Sequence, residues 1–186
     1  EQALNEGHKP NEITDKALSA AMNVVGKDFG AKKIFLPQVM LSAEAMREAF
    51  IKIKERIPAD SVSNKGTIVI ATVKGDIHDL GKNIVSALLE NNGFKVIDLG
   101  KDIDKEEIIK AAIDNKADMI GLCSLMTTTI TQIDEVIAEL NKSDYSTKVM
   151  IGGAVVTQEY ADNVGADAYA PDGVEAVEIA KKLINK

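Results

Sequence analysis

The stretch "GTIVIATVKGDIHDLGKNIV", residues 66–85, decides how the second half of the chain folds. Its first part is an apolar run of the kind found in buried strands, and its last part has the apolar spacing of a helix. Between them, His78 lies among acidic residues, shortly before Gly81, and a glycine there permits a tight entry into the helix. A strand, a loop and a helix in this order are typical of a parallel sheet covered by helices.

The same alternation continues to the end of the chain. Four further apolar runs separated by helical stretches are strand candidates, namely "FKVIDLG", "ADMIGLCS", "KVMIGG" and "ADAYA". We therefore predict an α/β domain over residues 63–186, with a flavodoxin- or Rossmann-like parallel five-stranded sheet. Such sheets bind ligands beyond the carboxyl ends of their strands. The loops that follow the first, third, fourth and fifth strands should form one edge, which we call the rim.

Residues 1–62 have a different pattern, which predicts a helical domain. Apolar residues recur at the three-and-four spacing of one helix face, at Leu18, Met22, Val25 and Phe29. Asp15 extends this face by an acid, and Pro37 suits the first turn of a following helix. A segment rich in Pro, Ser, Asn and Gly then leads to the first strand. The chain does not begin with Met, and we expect this domain to be truncated at its N-terminus.

The composition of the chain limits the kinds of partner it can bind and the cellular compartment it suits. The net charge of −7 argues against a nucleic-acid partner, because phosphate binding needs clustered Lys and Arg. The sequence contains no signal-peptide pattern and no apolar run of membrane length, so no membrane partner is expected. The single cysteine, Cys123, suits a reducing compartment, and we expect a cytoplasmic protein.

The rim residues alone leave several kinds of site open. His78 could be an ordinary surface histidine, and Gly81 could begin a phosphate-binding helix N-terminus. A zinc site or a nucleophilic pair of Cys123 with His78 is also conceivable from the residue types. The glycine patterns of nucleotide-binding loops are absent from the sequence.

Three short motifs together resemble a known family. They are Asp76-x-His78-x-x-Gly81, then Cys123-Ser124-Leu125, then Gly152-Gly153. The pattern resembles the cobalamin-binding module of methionine synthase and the small corrinoid methyl-carrier proteins, in which DxHxxG is followed by SxL and GG. The segments "MNVVG" and "FLPQV" resemble the helical cap of that family. The chain departs from the pattern at Cys123, where the family has the serine of SxL.

The resemblance implies that the chain binds cobalamin or a related corrinoid, with the lower base displaced from cobalt. It makes His78 the lower axial ligand of the metal, with Asp76 and Thr129 as a relay behind the histidine. Phe29 and Leu36 match residues that cover the methyl-bearing face of the corrin. The other implied cofactor contacts are Asp15, Gly75, Asp76, Ile77, Asp79, Leu80, Gly81, Cys123, Leu125, Thr127, Gly152, Gly153 and Gly173.

The implied function is methyl transfer by a carrier that has little activity alone. Its expected partners are a substrate:corrinoid methyltransferase, a second methyltransferase acting on a thiol or tetrahydrofolate, and a reductive activase. A cobalamin-binding fragment of methionine synthase is an alternative. A small subunit of an adenosylcobalamin mutase, a cobalamin-dependent regulator and a flavodoxin-like module without corrinoid are further alternatives.

Overall fold

The computed structural model describes residues 2–8, 13–54 and 65–184. The chain forms two compact units, one helical and one α/β. The predicted domain boundary between residues 62 and 63 lies outside the described residues. Within the three described ranges, no helix is both long and apolar enough to cross a membrane.

The helical unit consists of helices α1, Gln2–Asn5, α2, Ala20–Gly30, and α3, Leu36–Lys54, and a π-helical segment, Thr14–Ser19, that runs directly into α2. Pro37 lies in the first turn of α3, as predicted, where its missing N–H group has no partner to lose. Apolar side chains from α2 and α3 form the buried core of this unit, namely Met22, Val39, Ala43, Met46 and Ile53.

The α/β unit contains the predicted five-stranded parallel sheet. Its strands are β1, Thr67–Thr72, β2, Lys95–Asp98, β3, Met119–Cys123, β4, Lys148–Gly152, and β5, Ala168–Ala170. They lie in the order β2-β1-β3-β4-β5, and every pair is parallel. The predicted Rossmann-like fold is confirmed.

Five helices alternate with these strands. They are α4, Leu80–Asn91, α5, Lys105–Asp114, α6, Thr131–Lys142, α7, Gln158–Val164, and α8, Gly173–Leu183. All six residues of β1 are buried, because helices cover both faces of the sheet. Ile120 of β3 and Ile151 of β4 continue the same core.

The strand register builds the rim. Thr72, the last residue of β1, lies beside Cys123, the last residue of β3. Cys123 in turn lies beside Gly152, the last residue of β4. The loops that leave these strands therefore start side by side, and this brings the three sequence motifs to one edge of the sheet.

Candidate functional site

The loop after β1 carries the histidine, and we call residues 75–79 the histidine loop. Gly75 has a φ of +79°, a backbone conformation that glycine adopts without strain. The Asp76 N–H group donates to the Val73 carbonyl at 3.1 Å, which closes a tight turn. The Thr72 hydroxyl donates to the carbonyl of His78 at 3.5 Å. The loop is thus fixed to the end of the strand that it leaves.

Asp76 and His78 form a pair within this loop. Asp76 Oδ1 accepts from His78 Nδ1 at 2.9 Å and from the His78 backbone N–H at 3.0 Å. The Asp76 side chain is fully buried, whereas that of His78 is 52% exposed. A buried carboxylate therefore holds one edge of a half-exposed imidazole ring.

The environment of Asp76 decides the tautomer of this ring. Burial acts to raise the pKa of Asp76, but four hydrogen bonds outweigh it, and the pKa lies below its ordinary value. The four donors are the backbone N–H groups of Leu125 and His78, the His78 ring and the Thr129 hydroxyl. An ionised carboxylate only accepts hydrogen bonds, so His78 Nδ1 carries the proton. In the neutral ring this leaves the lone pair on Nε2, the tautomer in which a histidine binds a metal through Nε2.

The second oxygen of Asp76 reaches the loop after β3. Asp76 Oδ2 accepts from the Leu125 backbone N–H at 2.7 Å and from the Thr129 hydroxyl at 3.1 Å. The predicted neighbours Asp76, His78 and Thr129 are thus brought together. A further hydroxyl, that of the fully buried Ser124, lies 2.9 Å from Thr129 Oγ1 and extends the chain of polar groups. Sequence reasoning missed this role, because the motif directs attention to Cys123 and Leu125.

The two glycines after β4 lie against neighbouring backbone. A Cβ atom on Gly153 would collide with the carbonyl oxygen of Ser124, and Gly153 also has a φ of +126°. A Cβ atom on Gly152 would lie 2.9 Å from the carbonyl oxygen of Ala170. The family resemblance implies that both glycines contact the cofactor, and this stays a prediction. The protein's own backbone already requires both of them.

Gly81, at the start of α4, differs from these two glycines because it has open space around it. A Cβ atom on Gly81 would meet no atom within 4 Å, so nothing in the described protein requires glycine there. Ile77 and Leu80, on either side of His78, are large exposed apolar residues. Open space, exposed apolar side chains and a free imidazole nitrogen together fit a large, partly apolar group that contains a metal.

The other residues that we predicted to contact the cofactor show no comparable set of hydrogen bonds to His78 or Asp76 among the contacts described above. Thr127 is exposed, Asp79 and Leu125 are half-buried, and a Cβ atom on Gly173 would meet Leu88 of α4 at 2.7 Å. In the helical unit, Phe29 and Leu36 are partly exposed. The side chain of Asp15 lies outside what the structure describes. The roles of these residues stay predictions.

Cys123 is unsuited to act as a nucleophile. Burial, and next the Asp76 carboxylate, raise the pKa of its thiol to about 11. A thiol that stays protonated at neutral pH reacts slowly. This disfavours the nucleophilic pair of Cys123 with His78, whose ring Nδ1 is in any case bound to Asp76.

The described residues contain no group of three or more His, Cys, Asp or Glu side chains that could hold a metal ion. A single histidine suits a metal that arrives with most of its ligands already supplied by a cofactor. A corrin ring would supply most of the ligands of its metal, and His78 would supply one more. The geometry around His78 therefore fits a corrinoid.

Comparisons with known proteins agree with this geometry. The family model described as B12 binding domain matches residues 66–180, and a second model with the same description matches residues 1–54. The chain belongs to the B12-binding domain family. As a member of this family it is a corrinoid protein of the methyl-carrier kind, and its cofactor is cobalamin or a related corrinoid.

Individual members of the B12-binding family resemble the whole chain. Dimethylamine corrinoid protein 1 of Methanosarcina acetivorans is 47% identical, over 94% of this chain and 84% of its own length. The methanol:cobalamin methyltransferase complex MtaBC of Methanosarcina barkeri contains a chain that is 37% identical, with a TM-score of 0.83 over 98% of this chain and 70% of that one. A cobalamin-binding protein of Desulfitobacterium hafniense is 27% identical, with a TM-score of 0.85 over 98% and 87%.

Proposed function

We propose that this protein carries methyl groups in a methylamine methyltransferase system, with the corrinoid bound base-off and His78 as the lower axial ligand. The observation that carries the proposal is the Asp76–His78 pair, which engages Nδ1 of a half-exposed ring and leaves Nε2 outside the pair. The bound cofactor would supply the cobalt atom on which a methyl group travels. Similarity to dimethylamine corrinoid proteins supports dimethylamine as the first methyl donor to test.

The chain's own residues have three tasks in this proposal. Asp76 keeps the proton on Nδ1 and fixes the rotation of the ring. Thr129 and Ser124 complete the polar set behind Asp76, so that its second oxygen has a hydroxyl partner as well as the Leu125 N–H group. Phe29 and Leu36 are proposed to shield the cofactor from water.

A methyl carrier needs one enzyme that loads it and another that unloads it, and the proposed partners fill these two roles. A methylamine:corrinoid methyltransferase would load the carrier, and a second methyltransferase acting on a thiol or tetrahydrofolate would unload it. A reductive activase would restore cofactor that has been oxidised. The solved MtaBC complex, in which a related chain is paired with a methyltransferase, supports the first of these partners.

Electron paramagnetic resonance of the cobalt(II) form tests the axial ligand. Protein labelled with ¹⁵N-histidine and loaded with cobalamin should show a doublet superhyperfine splitting, because one ¹⁵N nucleus binds cobalt. A retained benzimidazole base would give a ¹⁴N triplet instead. His78→Ala should abolish the doublet, whereas His8→Ala, at the other histidine, should leave it unchanged. A triplet in the wild-type protein would contradict base-off binding.

Methyl transfer identifies the donor. Loaded protein is mixed with a dimethylamine-, a trimethylamine- or a methanol-specific methyltransferase and its substrate, and formation of the methylated cofactor is followed by absorbance. We expect the fastest methylation with the dimethylamine enzyme. Equal or faster methylation with the methanol enzyme would exclude methylamine specificity.

A further inference from the structure

Lys82 is a lysine in an unfavourable place. It lies in the first turn of α4, one helical turn after His78, and only 1% of its side chain is exposed. A buried ammonium group loses its hydration, and a cation at a helix N-terminus opposes the helix dipole. The hydrophobic core gives no reason for a charged side chain at this position.

The partners of Lys82 satisfy its charge completely. Its Nζ donates to both carboxylate oxygens of Asp98, each at 2.5 Å, and to Asn83 Oδ1 at 2.8 Å. Asp98, the last residue of β2, also accepts from the Ser86 hydroxyl at 3.1 Å and from the Gly100 N–H at 2.8 Å. The ion pair therefore joins the first two turns of α4 to the carboxyl end of β2.

The loop after β2 also holds the beginning of the histidine loop. Asp102 accepts from the Gly75 N–H at 2.8 Å, and its own N–H donates to the Asp76 carbonyl at 3.0 Å. Asp102 thus holds the start of the histidine loop, and the Lys82–Asp98 pair holds the helix that follows the loop. Asp76 fixes the rotation of the imidazole ring, whereas these two contacts fix the backbone from which the ring projects.

We propose that Lys82 is a positioning residue for the axial ligand, acting through Asp98 on the start of α4. The inference rests on the proposed ligation by His78. Exchanging a buried ion pair for apolar groups often changes stability little, but an ion pair prescribes the geometry of its partners. The direction of the first turn of α4, and with it the position of His78, is therefore set by a bond that an apolar side chain could not replace.

Lys82→Met tests the proposal, because it keeps the length of the side chain and removes its charge. Asp98 is 33% exposed and keeps Ser86 and Gly100 as partners, so the variant should fold. In the cobalt(II) form loaded with cobalamin, the ratio of histidine-ligated to unligated cobalt should fall at least about tenfold, as for other groups that orient a metal ligand. The melting temperature of the cofactor-free protein should change by less than about 5 °C.

Lys148→Met is the control for the loss of a lysine–aspartate pair away from the rim. Lys148 pairs with Asp167 at 2.7 Å at the opposite end of the sheet, and its side chain is half-exposed. This variant should retain the wild-type ligation ratio. A purely structural role for Lys82 would lower the melting temperature of Lys82→Met and leave the ¹⁵N doublet at full intensity, and that result would overturn the inference.

Two outcomes keep this inference separate from the proposed function. A wild-type protein without the ¹⁵N doublet refutes ligation by His78, and with it the role of Lys82. A wild-type doublet that persists in Lys82→Met refutes the role of Lys82 alone. If Lys82→Met does not fold, Asp98→Glu decides, because it keeps both charges and shifts the carboxylate by one methylene group. An unchanged ligation ratio in Asp98→Glu would then overturn the inference.

Discussion

The rim of the sheet has two sides, and glycine has a different role on each of them. Beside β1 and α4, a Cβ atom on Gly81 would enter open space. Beside β3 and β4, a Cβ atom on Gly153 would collide with the backbone of Ser124. A motif glycine can therefore mark either room left for a ligand or a close approach of two chain segments. Only the neighbours in space distinguish the two cases.

The two sides of the rim also differ in how exposed their side chains are. The side of β1 presents a half-exposed imidazole and exposed apolar residues, whereas the side of β3 holds the buried hydroxyls of Ser124 and Thr129. Asp76 belongs to both, with one oxygen on His78 and the other on Leu125 and Thr129. We call the side of β3 closed and the side of β1 open. Asp76, held by donors on the closed side, thus orients His78 on the open side.

The largest expected effect tests the closed side. Gly153→Ala should reduce the free energy of unfolding by about 3 kcal/mol or more, because overpacking adds to the strain of a positive φ. Urea unfolding of the cofactor-free protein measures this. Gly165→Ala is the control, since Gly165 has a φ of +77° with nothing within 4 Å of its Cβ position, and it should cost only about 1 kcal/mol. Equal costs at both glycines would remove the distinction between the two sides.

The next effect tests the residue that joins the two sides. Asp76→Ala should lower the free energy of unfolding by about 3 kcal/mol, because the Leu125 N–H group and the Thr129 hydroxyl lose a buried acceptor. Asp167→Ala removes a carboxylate that accepts from the Val149 N–H at the other end of the sheet, and it should cost about 1 kcal/mol. The same urea titration compares them. If Asp76→Ala is the milder variant, Asp76 is not the link between the two sides.

The smallest effect on stability tests the open side. Gly81→Ala should leave the cofactor-free protein unchanged or raise its free energy of unfolding by about 0.5 kcal/mol, because alanine favours the helix and meets no atom. Its affinity for cobalamin should nevertheless fall if the space beside Gly81 receives the cofactor. Equilibrium titration with cobalamin, followed by absorbance, gives this affinity. Unchanged affinity would mean that the space is not used.

Much of this architecture could be predicted from the sequence. The apolar runs define five strands, and the register of a parallel sheet brings the motifs at their ends to one edge. The grouping of Thr129 with Asp76 and His78 was implied by the family resemblance. The sequence could not show that the protein's own backbone requires Gly152 and Gly153, because that backbone comes from the ends of other strands and the sequence does not give its distance. The contact of these glycines with a cofactor stays a prediction.

The Lys82–Asp98 pair was beyond the reach of sequence reasoning. Lysine is almost always exposed, so nothing marks Lys82 as buried. Its pairing depends on β2 lying next to β1, a consequence of chain topology that local pattern does not specify. Ser124 is similar, because its burial follows from the turn after β3 that also brings Thr129 within hydrogen-bonding distance.

The raised pKa of Cys123 has a practical consequence. With a pKa of about 11, the only thiol of the chain is almost entirely protonated at pH 7.5, where alkylating probes such as maleimides attack exposed cysteines that ionise normally. The native sequence can therefore serve as a nearly silent background for cysteine-directed labelling. A fluorophore or spin label introduced on the exposed face of a helix would report on docking with methyltransferases without first removing Cys123.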